Sequence, residues 1–148
     1  MRVSVIGGSV PPESAREQAV VVGQKLAERG HEVVCGGGSG VMEAVCRGAR
    51  EFDGHTIGIL PEADRTAANE YVTTPIATGM GNARNALVVL NGDAAIAIDG
   101  STGTLSEIGL ALDYGRPVAG LQTHDIDAVE HVDSPTAAVE YVESAVGP

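Results

Sequence analysis

The chain has 148 residues, enough to bury the core of one domain and too few to require a second. Its formal net charge of -11, with one lysine (Lys25) against eight arginines, argues against a nucleic-acid backbone or an anionic membrane as the main partner. The acidic, lysine-poor composition suits a salt-rich cytoplasm as well as an ordinary acidic soluble protein. With neither a signal-peptide pattern nor an apolar run of spanning length, it predicts a cytoplasmic location.

Arg2 to Ile6 is a β-branched run ending in Gly7-Gly8-Ser9. Ala15, Ala19, Val22 and Leu26 then recur at the period of one helix face, with Pro11 and Pro12 at its start and Gly30 at its stop. Glu32 to Cys35 reads as a second strand running into Gly36-Gly37-Gly38-Ser39-Gly40, and Met42, Val45, Ala49 and Phe52 mark the next helix face. His55 to Leu60 is a third strand closed by Pro61, and the polar segment from Glu62 to Tyr71 has the composition of an excursion loop, a candidate lid. Val72 to Ala77 is a fourth strand. Gly79-Met80-Gly81-Asn82 follows, then a helix presenting Met80, Ala83, Leu87 and Leu90 on one side.

Ala94 to Ile98 is a fifth, fully apolar strand, followed by a helix with Leu105, Ile108 and Leu112 on its face and Gly115 at its end. Pro117 to Leu121 is the sixth strand, with a short extended piece expected at Ala128 to Val132 and a final helix at Ser134 to Val146. Strands alternating with helices force parallel pairing. The expected architecture is therefore a single-domain α/β fold spanning residues 1–148, a Rossmann-like doubly wound parallel sheet flanked by helices on both faces. Cys35 and Cys46, one strand-like and one helix-like, have no paired ligand spacing and are expected as buried free thiols, with no metal site.

Ligands of such sheets bind at the carboxyl ends of the strands, where the strand order reverses. The candidate ligand- or phosphate-binding residues are Gly8 and Ser9 after the first strand and Gly36, Gly37, Gly38, Ser39 and Gly40 after the second. Met80 and Asn85 follow the fourth, and Gly100, Ser101, Thr102, Gly103 and Thr104 the fifth. In the last group two glycines let backbone approach a ligand, hydroxyls add hydrogen bonds, and a helix start offers free N–H groups and partial positive charge. No Gly-Lys-Ser/Thr and no clean G-x-G-x-x-G is present, so ATPase and dehydrogenase readings lose ground. The Gly36 to Gly40 run also reads as a tight turn with no ligand. Arg84, early in its helix, is placed to hold a phosphate bidentately. Glu107 has two readings: a catalytic carboxylate beside the anion site, or the second member of a Thr104-Leu105-Ser106-Glu107 capping box. His31, His55, His124 and His131 have neither nucleophile nor metal spacing around them.

Three segments carry a resemblance: Cys35-Gly36-Gly37-Gly38-Ser39-Gly40-Val41-Met42-Glu43-Ala44, Thr78-Gly79-Met80-Gly81-Asn82-Ala83-Arg84-Asn85 and Gly103-Thr104-Leu105-Ser106-Glu107. From Gly7 to about Pro117 the chain resembles the Lonely Guy (LOG) superfamily of small Rossmann-like proteins. It is most similar there to a subgroup that includes molybdenum-cofactor carrier proteins. The resemblance implies a homodimer binding a small phosphorylated ligand, either a nucleoside 5'-monophosphate or a molybdopterin-type molecule, with no required cofactor. In the enzyme branch it implies hydrolysis of the N-glycosidic bond of a nucleoside 5'-monophosphate, with Arg84 and Glu107 matching the catalytic pair. The chain departs from that branch by having Asp99-Gly100-Ser101 for Pro-Gly-Gly and Arg84-Asn85 for Arg-Lys. Asp99 adds a negative charge and Asn85 removes a positive one, each unfavourable to an anion. A lysine-decarboxylase reading fails, because nothing around Lys25 resembles a Schiff-base site for pyridoxal phosphate. Two readings are carried forward, a phosphoribohydrolase and a binding or carrier protein using the same crevice.

Overall fold

The computed structural model describes Met1–Pro148. Seven strands, β1 (Arg2–Gly7), β2 (Glu32–Cys35), β3 (Thr56–Leu60), β4 (Thr74–Ala77), β5 (Ala94–Ile98), β6 (Val118–Leu121) and β7 (Glu130–His131), form one sheet in the order β4-β3-β2-β1-β5-β6-β7. Every adjacent pair is parallel. The five helices are α1 (Glu13–Glu28), α2 (Val41–Arg50), α3 (Asn85–Leu90), α4 (Thr102–Asp113) and α5 (Pro135–Val146). No helix is long and apolar enough to cross a membrane.

Side-chain alternation along the central strands sorts the core into two layers. Val3 and Val5 of β1 and Ala94, Ile96 and Ile98 of β5 face α1, α2 and α5, burying Ala15, Ala19, Val22, Leu26, Val45, Ala49 and Val142. Ile6, Ala95 and Ala97 face the other way onto Val88 and Val89 of α3 and Ile108 and Ala111 of α4. Beyond α3 no helix covers the sheet, leaving an apolar groove between Val34, Ile57, Ile59, Ile76 and Leu87.

On the first layer α1 and α2 cross at glycine. A methyl group on Gly23 would collide with the Val45 carbonyl oxygen, and one on Gly48 with that of Val20. Two backbones therefore touch where side chains normally keep helices 8–10 Å apart. At the far end of α1, Arg29 and His31 both hold Glu143 of α5, at 2.6 Å and 2.7 Å, and Ser134 Oγ caps α5 by accepting the Ala137 N–H.

Three sequence expectations change. Phe52 lies beyond the end of α2 and is exposed. The segment before α3 is a 3₁₀ turn (Gly81–Arg84), so the inward face of α3 is Asn85, Val88 and Val89, while Met80 and Leu90 are exposed. Because a 3₁₀ turn holds three residues rather than 3.6, a period counted from Met80 arrives out of phase. Helix α4 begins at Thr102, with Ser101 at its cap position. Thr104 is thus the third helical residue and Glu107 the sixth, which rules out the capping box, and Leu105 faces solvent.

Candidate functional site

Strand order reverses between β1 and β5, and a polar cavity of about 210 Å³ opens at the carboxyl ends of these two strands. Gly8 and Ser9 after β1, Gly36 after β2, Asn82, Arg84 and Asn85 from the 3₁₀ turn and the start of α3, and Ser101, Gly103, Thr104 and Glu107 from α4 all line it. Of the expected residues, Gly37, Gly38, Ser39, Gly40, Met80, Gly100 and Thr102 do not line it. Gly37 and Gly38 turn away, their carbonyl oxygens taken by the Asn69 backbone and side-chain N–H groups at 2.9 Å each. Gly40 serves the turn: its φ of 71° and the Gly8 carbonyl against its Cα leave no room for a side chain. No residue of the expected lid, 62–71, reaches the cavity, because Asn69 pins that segment over the Gly37–Gly38 turn. Met42, which the periodicity put on the buried face of α2, forms part of the cavity wall, and so does Gly7.

Backbone donors supply an anion environment. Neither α1, α2 nor α4 has a side-chain cap at its N-terminus, whereas α5, remote from the cavity, has one. At α4, whose Ser101, Gly103 and Thr104 line the cavity, unpaired N–H groups and the helix dipole together favour a negatively charged ligand.

Arg84 is placed by contacts with Asn85 and Gly36. Its Nη1 donates to Asn85 Oδ1, and Asn85 Nδ2 donates to Ser106 Oγ on α4 at 3.3 Å. Ser106 in turn donates to the Gly103 carbonyl at 2.7 Å. Its Nη2 lies over Gly36, where a Cβ would stand 2.6 Å from it and 2.9 Å from Met42 Sδ. The Nε–H is buried with no partner. Asn85 is thus a buried brace between the arginine and α4, a role its position in the sequence does not reveal. Asp99, in the left-handed region at φ 52°, lays its carboxylate over Gly8 and does not line the cavity.

Glu107 is 8% exposed and accepts no hydrogen bond from any protein group. Burial pushes its pKa up to about 7, against the opposing pull of the Arg84 guanidinium. A carboxyl group poised near neutrality at the wall of a polar cavity, next to a fixed arginine, can exchange its proton or carry charge as a ligand demands.

The model of the SLOG cluster4 family matches residues 1–146. An uncharacterized protein of Archaeoglobus fulgidus is 38% identical over 146 residues, 98% of this chain and 96% of its own. The cytokinin riboside 5'-monophosphate phosphoribohydrolase LOG of Oryza sativa is 36% identical over 112 residues, 72% of this chain. The match spans about half of that plant protein, at 46%. Among solved structures, the molybdenum cofactor binding protein of Rippkaea orientalis superposes with a TM-score of 0.88 at 34% identity, over 99% of this chain and 96% of that one. The molybdenum cofactor carrier protein of Chlamydomonas reinhardtii gives 0.87 at 29% identity, over 97% and 96%.

Proposed function

The chain belongs to the SLOG cluster4 family, and from that premise we propose that it binds a small phosphorylated ligand in the β1/β5 cavity and hydrolyses the N-glycosidic bond of a nucleoside 5'-monophosphate. The observation that carries this reading is Glu107: a buried carboxyl, unpaired by protein, whose ionisation sits near pH 7. A fold gains nothing from such a group, and active sites are where such groups are kept. In the reaction, the N–H groups and hydroxyls of Ser101, Gly103 and Thr104, with Gly8, Ser9 and Gly36, hold the phosphate, and Arg84 orients the ribose phosphate. The Glu107 carboxylate stabilises the oxocarbenium-like sugar as the base departs and guides the attacking water, the part carboxylates play in glycoside hydrolysis. The likeness to the phosphoribohydrolase of Oryza sativa supports it.

A second reading has its own support. The molybdenum cofactor proteins match nearly the whole chain, against 72% for the plant enzyme, and Asn85 stands where the enzyme branch has a cation. In this reading the same loops hold the phosphate of a molybdopterin-type ligand without turnover. Incubation with AMP and other nucleoside 5'-monophosphates separates the two. Release of free base and ribose 5-phosphate supports the hydrolase. Binding of a monophosphate or of a co-purified pterin, identified by mass spectrometry, with no product from any monophosphate transfers the cavity to the carrier role.

A further inference from the structure

Cys35, the last residue of β2, and Cys46, in the second turn of α2, are both fully buried with their sulfur atoms 3.5 Å apart. Neither contributes to the proposed chemistry. Two thiols in a core can be nothing more than small apolar side chains, but these are polarised against each other. The Gly37 N–H donates to Cys35 Sγ at 3.3 Å, and either thiol can donate to the other, so that with Cys46 as donor Cys35 receives two. Those hydrogen bonds, with the Arg84 guanidinium nearby, hold the Cys35 thiol below the ordinary range, while the Cys35 sulfur and burial push Cys46 far up. One thiol is set to be the nucleophile and its neighbour holds the proton.

We propose that Cys35 and Cys46 are a redox pair that hydrogen peroxide closes into a disulfide, and that closure moves the cavity wall at Gly36 against Met42. Both ends of the new bond are attached to that wall. Gly36 is the next residue after Cys35 and carries Arg84 Nη2 and Met42 Sδ against its Cα, and Met42 lies one helical turn before Cys46. Bond formation brings sulfurs now 3.5 Å apart to about 2.05 Å. The backbone contact of α2 with α1 holds the helix, so the displacement falls on the end of β2 and the turn that follows it.

Cys35 is fully buried and does not line the cavity, but the next residue, Gly36, does, so peroxide reaches the sulfur when the Gly36 turn opens. The Cys35 thiolate attacks one peroxide oxygen, forming an S–O bond as the O–O bond breaks, and the departing hydroxide takes up a proton to leave as water. Cys46 then attacks the Cys35 sulfenic acid sulfur. The S–S bond forms, the S–O bond breaks, and the hydroxide leaves with the Cys46 proton as a second water. Two thiols are oxidised and one peroxide is reduced.

The test uses the intact protein treated with hydrogen peroxide, quenched, alkylated under denaturing conditions and weighed. The wild type is expected to lose two hydrogens and take up no alkyl group, reversibly with dithiothreitol, while Cys46→Ala gains oxygen on Cys35 instead. Hydrogen exchange of the segment 36–45 is expected to change at least about threefold on oxidation, with α5 unaffected. Two alkylated thiols after peroxide treatment would overturn the pairing. A disulfide formed with unchanged exchange at 36–45 would overturn its link to the cavity. Neither readout depends on what the cavity binds.

Discussion

Replacing Glu107 by glutamine should stabilise the protein, and by an amount that depends on pH. In the unfolded chain the carboxyl titrates near 4.5; in the fold, burial raises this to about 7. The folded state therefore binds more protons than the unfolded state between these values. The sign follows: no penalty exists below pH 4.5, and stability is lost as pH rises towards 7 and then levels off. At about 1.36 kcal/mol per pKa unit, the full penalty is about 3 kcal/mol at pH 8 and about 1 kcal/mol at pH 5. Glutamine keeps the shape, carries no charge and escapes the penalty. Urea denaturation of wild type and Glu107→Gln at pH 5, 6, 7 and 8 should show the variant gaining on the wild type along that curve, with unchanged m-values. A difference that is flat with pH, or a variant that loses ground as pH rises, would refute the claim that the buried carboxyl is held against its own solvation.

The same titration should appear in the chemistry: if the carboxylate is the working form, kcat for monophosphate hydrolysis rises through about pH 7, and Glu107→Gln lowers kcat by about 100-fold or more with ligand affinity kept. Gly36→Ala places a methyl group 2.6 Å from Arg84 Nη2; calorimetry should show affinity for AMP falling about tenfold while the fold persists. Gly48→Ala drives a methyl group into the Val20 carbonyl and should cost about 2 to 3 kcal/mol in urea denaturation, far more than a surface glycine such as Gly109. A homodimer is expected to cover the groove of Val34, Ile57, Ile59, Ile76 and Leu87; light scattering at micromolar concentration should give twice the chain mass, and Leu87→Glu should give a monomer.

Strand and helix order was legible because each central strand is either β-branched or wholly apolar and each is punctuated by glycine, so the period changes from 2 to 3.6 at visible places. The convergence of Gly8, Gly36, Arg84 and Gly103 followed from parallel pairing alone. What the sequence could not show was rotation. Two residues of uncertainty in the start of α4 decide whether Glu107 satisfies the helix end or enters a cavity, and a 3₁₀ turn before α3 hides which side of that helix is buried. Asn85 reads as a missing cation until its bonds to Arg84 and Ser106 show it as a brace. Asp99 reads as a charge at the ligand, and the structure lays its carboxylate against Gly8 of the cavity wall without its lining the cavity itself.

The glycine crossing of α1 and α2 also ties together the two helices on one side of the cavity. Each of these helices starts where one cavity loop ends, the β1 loop at α1 and the β2 loop at α2. With backbone on backbone at Gly23 and Gly48 there is no side chain between them to repack, so the two helices that receive these loops are held together. The opposite wall, made of the 3₁₀ turn, six-residue α3 and the first turns of α4, has no such backbone contact to lock it. Arg84 stands on that wall, held by Asn85, so in the reading proposed above a phosphate that engages the guanidinium would draw α3 and the start of α4 with it.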